Sequence, residues 1–379
     1  MNFDLTDEQE MIRESLSRFL RDRYDFEARG KIIRSEAGWN PEVWGQLAEL
    51  GLMAVPFAEA HGGLDGGPTD IMVVMEELGR ALVVEPYLPT VVLAGSILQA
   101  VGGTVAEELI PQIAGGELVM GLAYAEPRSR YDLFHVETTA EKTGDAYALA
   151  GHKSVVLAAP LAGRLIVSAR TDGGTRDRDG IGLFLVDPQA DGVTVKDYRT
   201  IDGFAAGDVI LDKAPATLIG TQGEGLALLE MAVDRGIIAC AAEMTGLAKR
   251  MTELTVDYTR QREQFGVPLS KQQVLQHTMA DMFMAGEEMK SMAVRATALA
   301  DADPEERAKA AAMAKVFIGK TGKFVGEAAV QLHGGMGITE EMAIGHYFMH
   351  ATMLDTLFGN RDYHQRRYEM LTGLRKDAA

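Results

Sequence analysis

The chain has 379 residues, which exceeds the usual length of one domain and predicts more than one packed unit. Apolar residues make up 47% and charged residues 24%, a globular balance that excludes disordered and fibrous chains. The formal net charge of −18 disfavours nucleic acid or an anionic membrane as a general partner.

The first third of the chain carries helical periodicity. From Thr6, the residues Thr-Asp-Glu-Gln match a capping box, and apolar residues then recur at helical spacing. Similar segments follow at 41–50, 70–82 and 105–113. The sequence therefore predicts an all-α N-terminal domain over residues 1–117.

From about residue 118 the pattern changes to short β-rich runs separated by turn signals, without helical segments between them. The runs lie at 119–125, 136–141, 146–157, 164–169, 181–186, 193–198 and 208–211. Strands that follow one another without crossover helices favour antiparallel pairing. Residues 118–224 are therefore predicted to form a middle, mainly antiparallel, β-barrel-like domain.

Helical periodicity returns at residue 225. Four long segments lie at 225–261, 271–299, 304–332 and 339–372, and the second opens on a capping-box pattern from Ser270 to Gln273. These segments predict a C-terminal four-helix bundle over residues 225–379. The predicted fold class is α+β multidomain, with helices first, a sheet in the middle and helices last.

Cysteine usage and apolar runs bear on location. The single cysteine, Cys240, has no disulfide partner within the chain, which favours a reducing compartment. The first ten residues are acidic and unlike a signal peptide, and the longest apolar stretch, 87–101, is short for a membrane span. We expect a cytoplasmic protein without a membrane partner.

Two segments of the last domain are candidates for phosphate binding. In 331–337, successive glycines leave backbone N–H groups open to a phosphate, but a helix C-cap and turn would use the same pattern. In 262–266, Arg262 ends a long helix beside an amide and an aromatic residue, where an arginine can also simply offset the helix dipole. The residues alone leave both interpretations open.

Other candidates are less specific. Arg128 and Arg130 bracket a serine, which suits either an anion site or a solvated loop. Glu243 has apolar neighbours and suits a partly buried carboxylate, whereas Asp234 suits a solvent-facing position. The C-terminal histidines lack a compact metal-ligand pattern, so no metal is expected.

Taken together, these segments resemble the acyl-CoA dehydrogenase family over almost the whole chain. The resemblance implies an FAD-dependent oxidoreductase that introduces an α,β double bond into an acyl-CoA thioester. It also implies a tetramer built from dimers, with FAD across a dimer interface and an electron-transfer flavoprotein as the electron acceptor. In that arrangement one subunit binds the flavin ring and the acyl-CoA, while its neighbour reaches the ADP part.

The segments that reach a neighbour's FAD match the family. They correspond to its Arg-x-x-Phe-Gly segment, a glutamine at the next helix start, and its Gln-x-x-Gly-Gly segment. The resemblance implies FAD-binding roles for Arg262, Gln264, Phe265, Gln273, Gln331, Gly334 and Gly335. An arginine, amides and bare backbone N–H groups are suited to a pyrophosphate.

The segments that bind the flavin ring depart from the family. Where the family usually reads Thr-Glu-Pro-Gly-x-Gly-Ser-Asp, the segment 125–132 lacks the threonine hydroxyl, and Tyr131 replaces a small residue. Where the family reads Trp-Ile-Thr, this chain has Val155, Val156 and Leu157. The ring would lose a stacking partner and a donor near the flavin N5.

The family's base is also absent. Its reaction needs a carboxylate to remove the α-proton while hydride leaves the β-carbon for FAD. The usual glutamate position falls on Phe358, and an alternative position on the first bundle helix falls on Gly236. Asp234 points to a different side of that helix from Gly236, and Glu243 lies near the same face but about 10 Å along the axis, which leaves Glu243 as the stronger substitute.

The losses fall in one half of the FAD site while the other half remains. We therefore expect the small, non-catalytic subunit of a heteromeric acyl-CoA dehydrogenase that completes a catalytic partner's FAD site, in fatty acid or steroid catabolism. It resembles the pimeloyl-CoA dehydrogenase small subunit and the steroid-degrading heterotetramers. The alternatives are a self-sufficient homo-oligomeric acyl-CoA oxidoreductase with a relocated base, and a structural or acyl-CoA-binding paralogue without flavin.

Overall fold

The computed structural model describes residues 4–144 and 146–375. Internal contacts divide the chain into two compact units. The first unit contains the chain up to Arg29, Pro68–Val83, and the chain from Ile237 onward, and the second contains Gly30–Gly67 and Val84–Gly236. The domain boundaries expected from sequence, 1–117, 118–224 and 225–379, stay a prediction.

The secondary structure follows the expected order. The described residues form eleven α-helices: α1 (Asp7–Arg23), α2 (Phe26–Arg34), α3 (Pro41–Glu49), α4 (Pro68–Ala81), α5 (Gly95–Val101), α6 (Gly103–Ala114), α7 (Gly225–Gln261), α8 (Gln273–Thr297), α9 (Pro304–His333), α10 (Ala343–Thr356) and α11 (Arg361–Leu371). The strands are β1 (Met120–Ala123), β2 (Thr139–Thr143), β3 (Ala146–Leu157), β4 (Arg164–Arg170), β5 (Ile181–Val186), β6 (Val193–Arg199), β7 (Ala205–Ile219), β8 (Glu263–Gln264) and β9 (Val267–Pro268). The predicted fold class is confirmed.

In the first unit, α1 begins as the sequence predicts. The Thr6 hydroxyl accepts a hydrogen bond from the Gln9 backbone N–H at 3.2 Å, and the Gln9 side chain accepts one from the Thr6 N–H at 3.1 Å. This reciprocal pair is the predicted capping box, and it satisfies N–H groups that the first helical turn leaves without partners.

Glycines set the contact between α4 and α7 in the same unit. A Cβ on Gly246 would lie 1.9 Å from the carbonyl oxygen of Glu76, and one on Gly79 would lie 2.3 Å from that of Glu243. Both positions exclude any larger residue, so the two helix backbones approach closely along the α7 segment that carries Glu243.

The predicted fourth bundle helix, 339–372, is in fact two helices, α10 and α11. Phe358 and Gly359 adopt positive φ values of 62° and 108°, which no α-helix accommodates. The Asn360 side chain then caps α11 by accepting from the Tyr363 N–H at 3.0 Å. The helix therefore breaks at Phe358, the position where the resemblance predicts the family's catalytic glutamate.

In the second unit, β1 to β7 form one sheet. Its order is β1-β4-β2-β3-β7-β5, β4 also pairs with β5, and β6 pairs with β7, so five strands form a closed circuit. Pairing is antiparallel except for β1 with β4 and a single residue pair between β2 and β4. The core inside the sheet contains Leu149, Val167, Phe184 and Val209, each fully buried.

Among the described residues, no helix is both long enough and apolar enough to cross a membrane.

Candidate functional site

The two segments that match the family's neighbour-reaching motifs are joined in the first unit. We call 262–266 together with 331–335 the clasp. The rings of Tyr258 and His333 stack with centroids 4.3 Å apart and an interplanar angle of 24°. The Tyr258 hydroxyl also donates to the His333 carbonyl oxygen at 3.3 Å. The ends of α7 and α9, and with them both halves of the clasp, are therefore fixed to each other.

The arginine half of the clasp is a short hairpin. Strands β8 and β9 pair antiparallel, and the Leu269 N–H closes the hairpin by donating to the Arg262 carbonyl oxygen at 2.8 Å. Phe265, at the turn, has a φ of 57° and is 93% exposed. Arg262 and Gln264 are exposed as well. The predicted cofactor-binding side chains of this half are therefore exposed to solvent and do not pack against the rest of the unit.

The glycine half presents bare backbone. Gly334 has a φ of 61°, and its N–H donates to the Gln331 carbonyl oxygen. A Cβ built on Gly334 or on Gly335 would meet no atom within 4 Å, so the space beside both residues is open. Gln331 and Gln273 are exposed. A cation, amides and accessible backbone fit a pyrophosphate that approaches from outside. The roles of the individual residues stay a prediction.

The family's base position has the opposite character. Phe358 is only 6% exposed, and its carbonyl oxygen lies 2.9 Å from Nε2 of His364. The Lys315 ammonium donates to the carbonyl oxygens of Leu354 and Leu357 and so caps the C-terminus of α10. Burial lowers the pKa of Lys315 to about 8. Sequence reasoning missed this lysine, because its partners lie about forty residues away.

The weak candidate base, Glu243, is paired inside the protein. Its Oε1 accepts from Nε2 of His350 at 2.8 Å, and the two residues are 5% and 3% exposed. Burial, followed by the nearby carboxylate of Glu243, raises the pKa of the Cys240 thiol. The contact between Glu243 and His350 therefore joins α7 to α10.

The other helix positions are buried too. Asp234 is 1% exposed, so the expectation that it faces solvent is wrong. It precedes Gly236, the family's alternative base position, which is also buried and offers no side chain. The apolar residues around this stretch of α7 keep it inside the protein, although its sequence includes charges.

In the second unit, a buried ion pair holds the loop after β1. Oε1 of Glu126 lies 2.6 Å from Nζ of Lys153 and accepts from the Thr138 hydroxyl at 2.7 Å, while Oε2 accepts from the Glu137 N–H at 2.6 Å. Burial would raise the pKa of Glu126, but the charge of Lys153 and these hydrogen bonds lower it below its usual value. Burial lowers the pKa of Lys153 to about 8. The pair was not predicted, and it fixes the backbone of 124–138.

The loop that the ion pair holds offers little to a flavin ring. The Ser129 hydroxyl is used within the loop, where it accepts from the Glu126 N–H at 2.9 Å. Arg128 and Arg130 are exposed, and Arg130 has a positive φ of 51°. The serine between the two arginines is therefore structural, and only the arginines face outward.

The backbone of 155–157, where the resemblance expects Trp-Ile-Thr, is also fixed by contacts within the second unit. Val155 has a φ of 52° and is 46% exposed, and its N–H points to the Tyr198 hydroxyl at 3.1 Å and to Oδ1 of Asp208 at 3.2 Å. Val156 is buried in the sheet core. Leu157 carries no hydrogen-bonding side chain. The backbone is ordered, but neither an indole nor a hydroxyl is present.

Comparison with known families agrees with this architecture. Residues 6–117 match the N-terminal domain of acyl-CoA dehydrogenase, residues 121–214 its middle domain, and residues 223–369 its C-terminal domain. The chain therefore belongs to the acyl-CoA dehydrogenase family, whose members are FAD-dependent oxidoreductases.

Relatives cover nearly the whole chain. The probable acyl-CoA dehydrogenase YngJ of Bacillus subtilis is 28% identical over 364 residues, which cover 94% of this chain and 95% of the relative. The caffeyl-CoA reductase–Etf complex subunit CarC of Acetobacterium woodii is 27% identical and covers 89% of this chain and 91% of the relative. A solved structure of a variant of the Tcur3481–Tcur3483 steroid ACAD is 30% identical, with a TM-score of 0.88, covering 97% of this chain and 98% of that one.

Proposed function

We propose that this chain is the small, non-catalytic subunit of a heteromeric acyl-CoA dehydrogenase, of the pimeloyl-CoA dehydrogenase small-subunit type. Its clasp would bind the ADP part of an FAD whose flavin ring and catalytic base belong to a partner subunit. The partner would bind the acyl-CoA substrate, and an electron-transfer flavoprotein would accept the electrons. The single buried thiol, Cys240, suits the reducing cytoplasm as its location.

The main support for the proposal is that neither expected position of the catalytic base, Phe358 or Gly236, has a carboxylate. Phe358 is buried, its backbone is held from both sides, and Gly236 offers no side chain. Proton removal from a thioester needs a base within hydrogen-bond reach of the substrate. The chain supplies none at either family position, so a partner that supplies one explains why the rest of the fold is retained.

The surface around the clasp supports a partner chain. Large apolar side chains lie exposed there and along α8, on the same unit: Phe265 (93%), Ile338 (79%), Val274 (70%) and Phe283 (61%). Exposed apolar residues next to outward-facing polar groups are typical of a surface that another protein covers. The occupant that we infer is the flavin-bearing subunit, because it would bring the pyrophosphate to the clasp.

The residues fit one half of the cofactor. When bound, FAD supplies the two-electron oxidation of the acyl chain. Arg262 would pair with a phosphate, Gln264 and Gln331 would donate to polar atoms of the ADP part, and the bare backbone of Gly334 and Gly335 would let it approach. In the second unit, the segments at the expected ring-binding positions carry neither the family's hydroxyl nor its indole. The names of the Tcur3481–Tcur3483 steroid ACAD and of the caffeyl-CoA reductase–Etf complex are in keeping with heteromeric assembly.

Co-purification tests the proposal directly. We expect the chain alone to be colourless, and the chain with its partner to contain one FAD per pair of unlike subunits. Flavin absorbance per polypeptide, measured after size-exclusion chromatography, gives the ratio. Full flavin occupancy and dehydrogenase activity in the isolated chain would refute the proposal, and a complex that forms without flavin would favour a structural paralogue.

The second candidate is a self-sufficient homo-oligomeric oxidoreductase. The observation that favours it is Glu243, a buried carboxylate beside His350 on α10. A buried carboxylate with a histidine partner is an arrangement that catalytic bases share. In that case Glu243→Gln would abolish turnover and leave flavin bound.

A further inference from the structure

The second unit contains a cavity that lies outside the segments expected to bind FAD. Its volume is about 420 Å³, within the range of small-molecule sites. Its walls come from the loop after α2, the turn Ala159–Leu161 and the end of β6. All of these segments belong to one compact unit, so the cavity is formed within that unit.

The loop after α2 is attached to β6. Nη2 of Arg199 donates to the Glu36 carbonyl oxygen at 2.7 Å. A Cβ on Gly38 would lie 1.9 Å from Cζ of Arg199, so the guanidinium packs directly against the bare backbone of Gly38. The Ser35 hydroxyl accepts from the Gly38 N–H at 3.0 Å. The walls are therefore in place before a ligand arrives, which lowers the cost of binding.

The same loop contributes a tryptophan to the wall. Trp39 packs edge-on against Trp44, with ring centroids 6.2 Å apart and an interplanar angle of 64°. Trp44 is 2% exposed, and its Nε1 donates to the Gly116 carbonyl oxygen at 3.0 Å. The Trp39 ring is thus held by a buried neighbour. Among aromatic side chains, an indole attracts a cation to its face most strongly.

The charged side chains that line the cavity have a negative excess. They are the carboxylates of Glu36 and Asp197 and the guanidinium of Arg199, and all three residues are exposed. Among the described residues, neither carboxylate forms an ion pair. Two carboxylates and one guanidinium leave one negative charge uncompensated at the wall.

The cations that neighbour these carboxylates in the chain are directed elsewhere. Lys196 precedes Asp197 in β6, and successive side chains of a strand point to opposite faces. The guanidinium nitrogens of Arg34 lie 3.1 and 3.2 Å from the position of a Cβ on Gly30, so this side chain runs back along α2. Lys196 and Arg34 therefore do not offset the excess, and the net charge of the whole chain, −18, has the same sign.

We propose that this cavity binds a small organic cation whose ammonium group lies beside Trp39 and the two carboxylates. Pro160 and Leu161 supply apolar walls for its alkyl groups. An alkylated ammonium ion suits such a site, because aromatic rings next to negative charge recognise its positive methyl surface. The inference concerns a site apart from the clasp and does not rest on the proposed subunit role.

Calorimetry with choline, and with neohexyl alcohol, in which a carbon atom replaces the choline nitrogen, tests the proposal on the full chain. The two probes have the same shape and differ in charge. We expect choline to bind at least about tenfold more tightly, because only choline interacts with the indole and the carboxylates as a cation. Equal affinities, or no measurable binding of choline at about 10 mM, would overturn the proposal.

Charge variants locate the site. Asp197→Asn removes one carboxylate charge from the cavity and should weaken choline binding about three- to tenfold. Asp191→Asn removes the same charge just before β6, at an exposed position outside the cavity, and should leave binding unchanged. Equal losses in both variants would show a general charge effect and refute the assignment.

The aromatic wall has a separate test. Trp39→Leu keeps an apolar side chain but removes the indole, so it should weaken choline binding at least about threefold and change the binding of neohexyl alcohol little. The melting temperature checks that this variant is folded. Unchanged choline affinity in both Trp39→Leu and Asp197→Asn would place the ligand elsewhere, and if Trp39→Leu does not fold, Asp197→Asn alone decides.

Discussion

The clasp and the segment 357–360 lie in the same unit and have opposite relations to the protein around them. In the clasp, Arg262 and Phe265 project outward and the glycines border open space. In 357–360, the backbone is held by Lys315 and His364, and Phe358 is buried. The polar side chains of the clasp are therefore exposed, whereas the carbonyl groups of Leu357 and Phe358 contact internal side chains.

The two segments differ in what stabilises their structure. Internal hydrogen bonds stabilise 357–360 whether or not a substrate is present, so the segment does not depend on catalysis for its structure. In the clasp, the Tyr258–His333 stack and the β8–β9 hairpin fix the backbone, while the side chains of Arg262 and Phe265 are exposed. Under our proposal, these exposed side chains contact a pyrophosphate that approaches from outside.

The largest expected effect is a loss of folding stability when Lys315, which holds the segment 357–360, is replaced. Lys315→Met removes the ammonium that donates to the Leu354 and Leu357 carbonyl oxygens, one buried and one partly buried, and should lower the free energy of unfolding by about 3 kcal/mol. Chemical denaturation at pH 7 measures this loss. Lys320→Met, on an exposed part of α9, is the matched control and should change stability little.

The same variant has a signature in pH. Burial lowers the pKa of Lys315 from its usual 10.5 to about 8, so between these values the unfolded chain binds more protons than the folded chain. The stability difference between the wild-type chain and Lys315→Met should therefore rise with pH across this window and be constant below about pH 8. A flat difference up to pH 10 would show that Lys315 is not buried as a cation.

The next largest expected effect is on FAD binding by the clasp. In the complex with its partner, Arg262→Ala should weaken FAD binding by about 10- to 100-fold, because a charge-assisted contact to phosphate is lost. Flavin fluorescence during dilution or titration gives the dissociation constant. Arg260→Ala is the control, since the Arg260 side chain is 69% exposed and its contact with Asp257 is long, at 3.8 Å. Equal losses in both variants would point to general charge and not to the clasp.

Glu243→Gln separates the two candidate functions. If the base belongs to the partner, turnover of the complex should stay within about twofold, and stability should fall by about 1–2 kcal/mol as the contact with His350 weakens. Loss of turnover with flavin still bound would instead favour the homo-oligomeric enzyme.

The smallest expected effect tests whether the backbone of Gly335 lies beside the bound pyrophosphate. Gly335→Ala adds a methyl group where no atom lies within 4 Å, so the melting temperature of the isolated chain should not change. In the complex, the methyl group should lie in the path of the pyrophosphate and weaken FAD binding by about three- to tenfold. Gly45→Ala, also in open space but on α3, should leave FAD affinity as it is.

Local patterns predicted much of the fold. The strands β3 and β5 have the expected bounds, and the Thr6 capping box forms. In each case the signal lies within a few neighbouring residues. The capping box expected at Ser270 is wrong, because α8 begins at Gln273 after Gln272, without a side-chain cap. The helix break at Phe358 and Gly359 was also missed, although Gly359 and the cap residue Asn360 were signals for it.

Contacts between distant segments were beyond sequence reasoning. The Glu126–Lys153 pair, the Tyr258–His333 stack and the contacts of Lys315 each join residues far apart in the chain. Periodicity reports which face of an element is apolar, but it does not identify the partner across the core. The clasp motifs could be proposed from their residue types, whereas the stack that unites them could not.

The buried pair of Glu126 and Lys153 has a consequence for protein engineering. It fixes the loop after β1 through its own hydrogen bonds, so the loop keeps its shape without any cofactor. Side chains can then be transplanted onto that loop without rebuilding its main chain. The chain therefore offers a scaffold for measuring how substitutions in this loop change flavin binding.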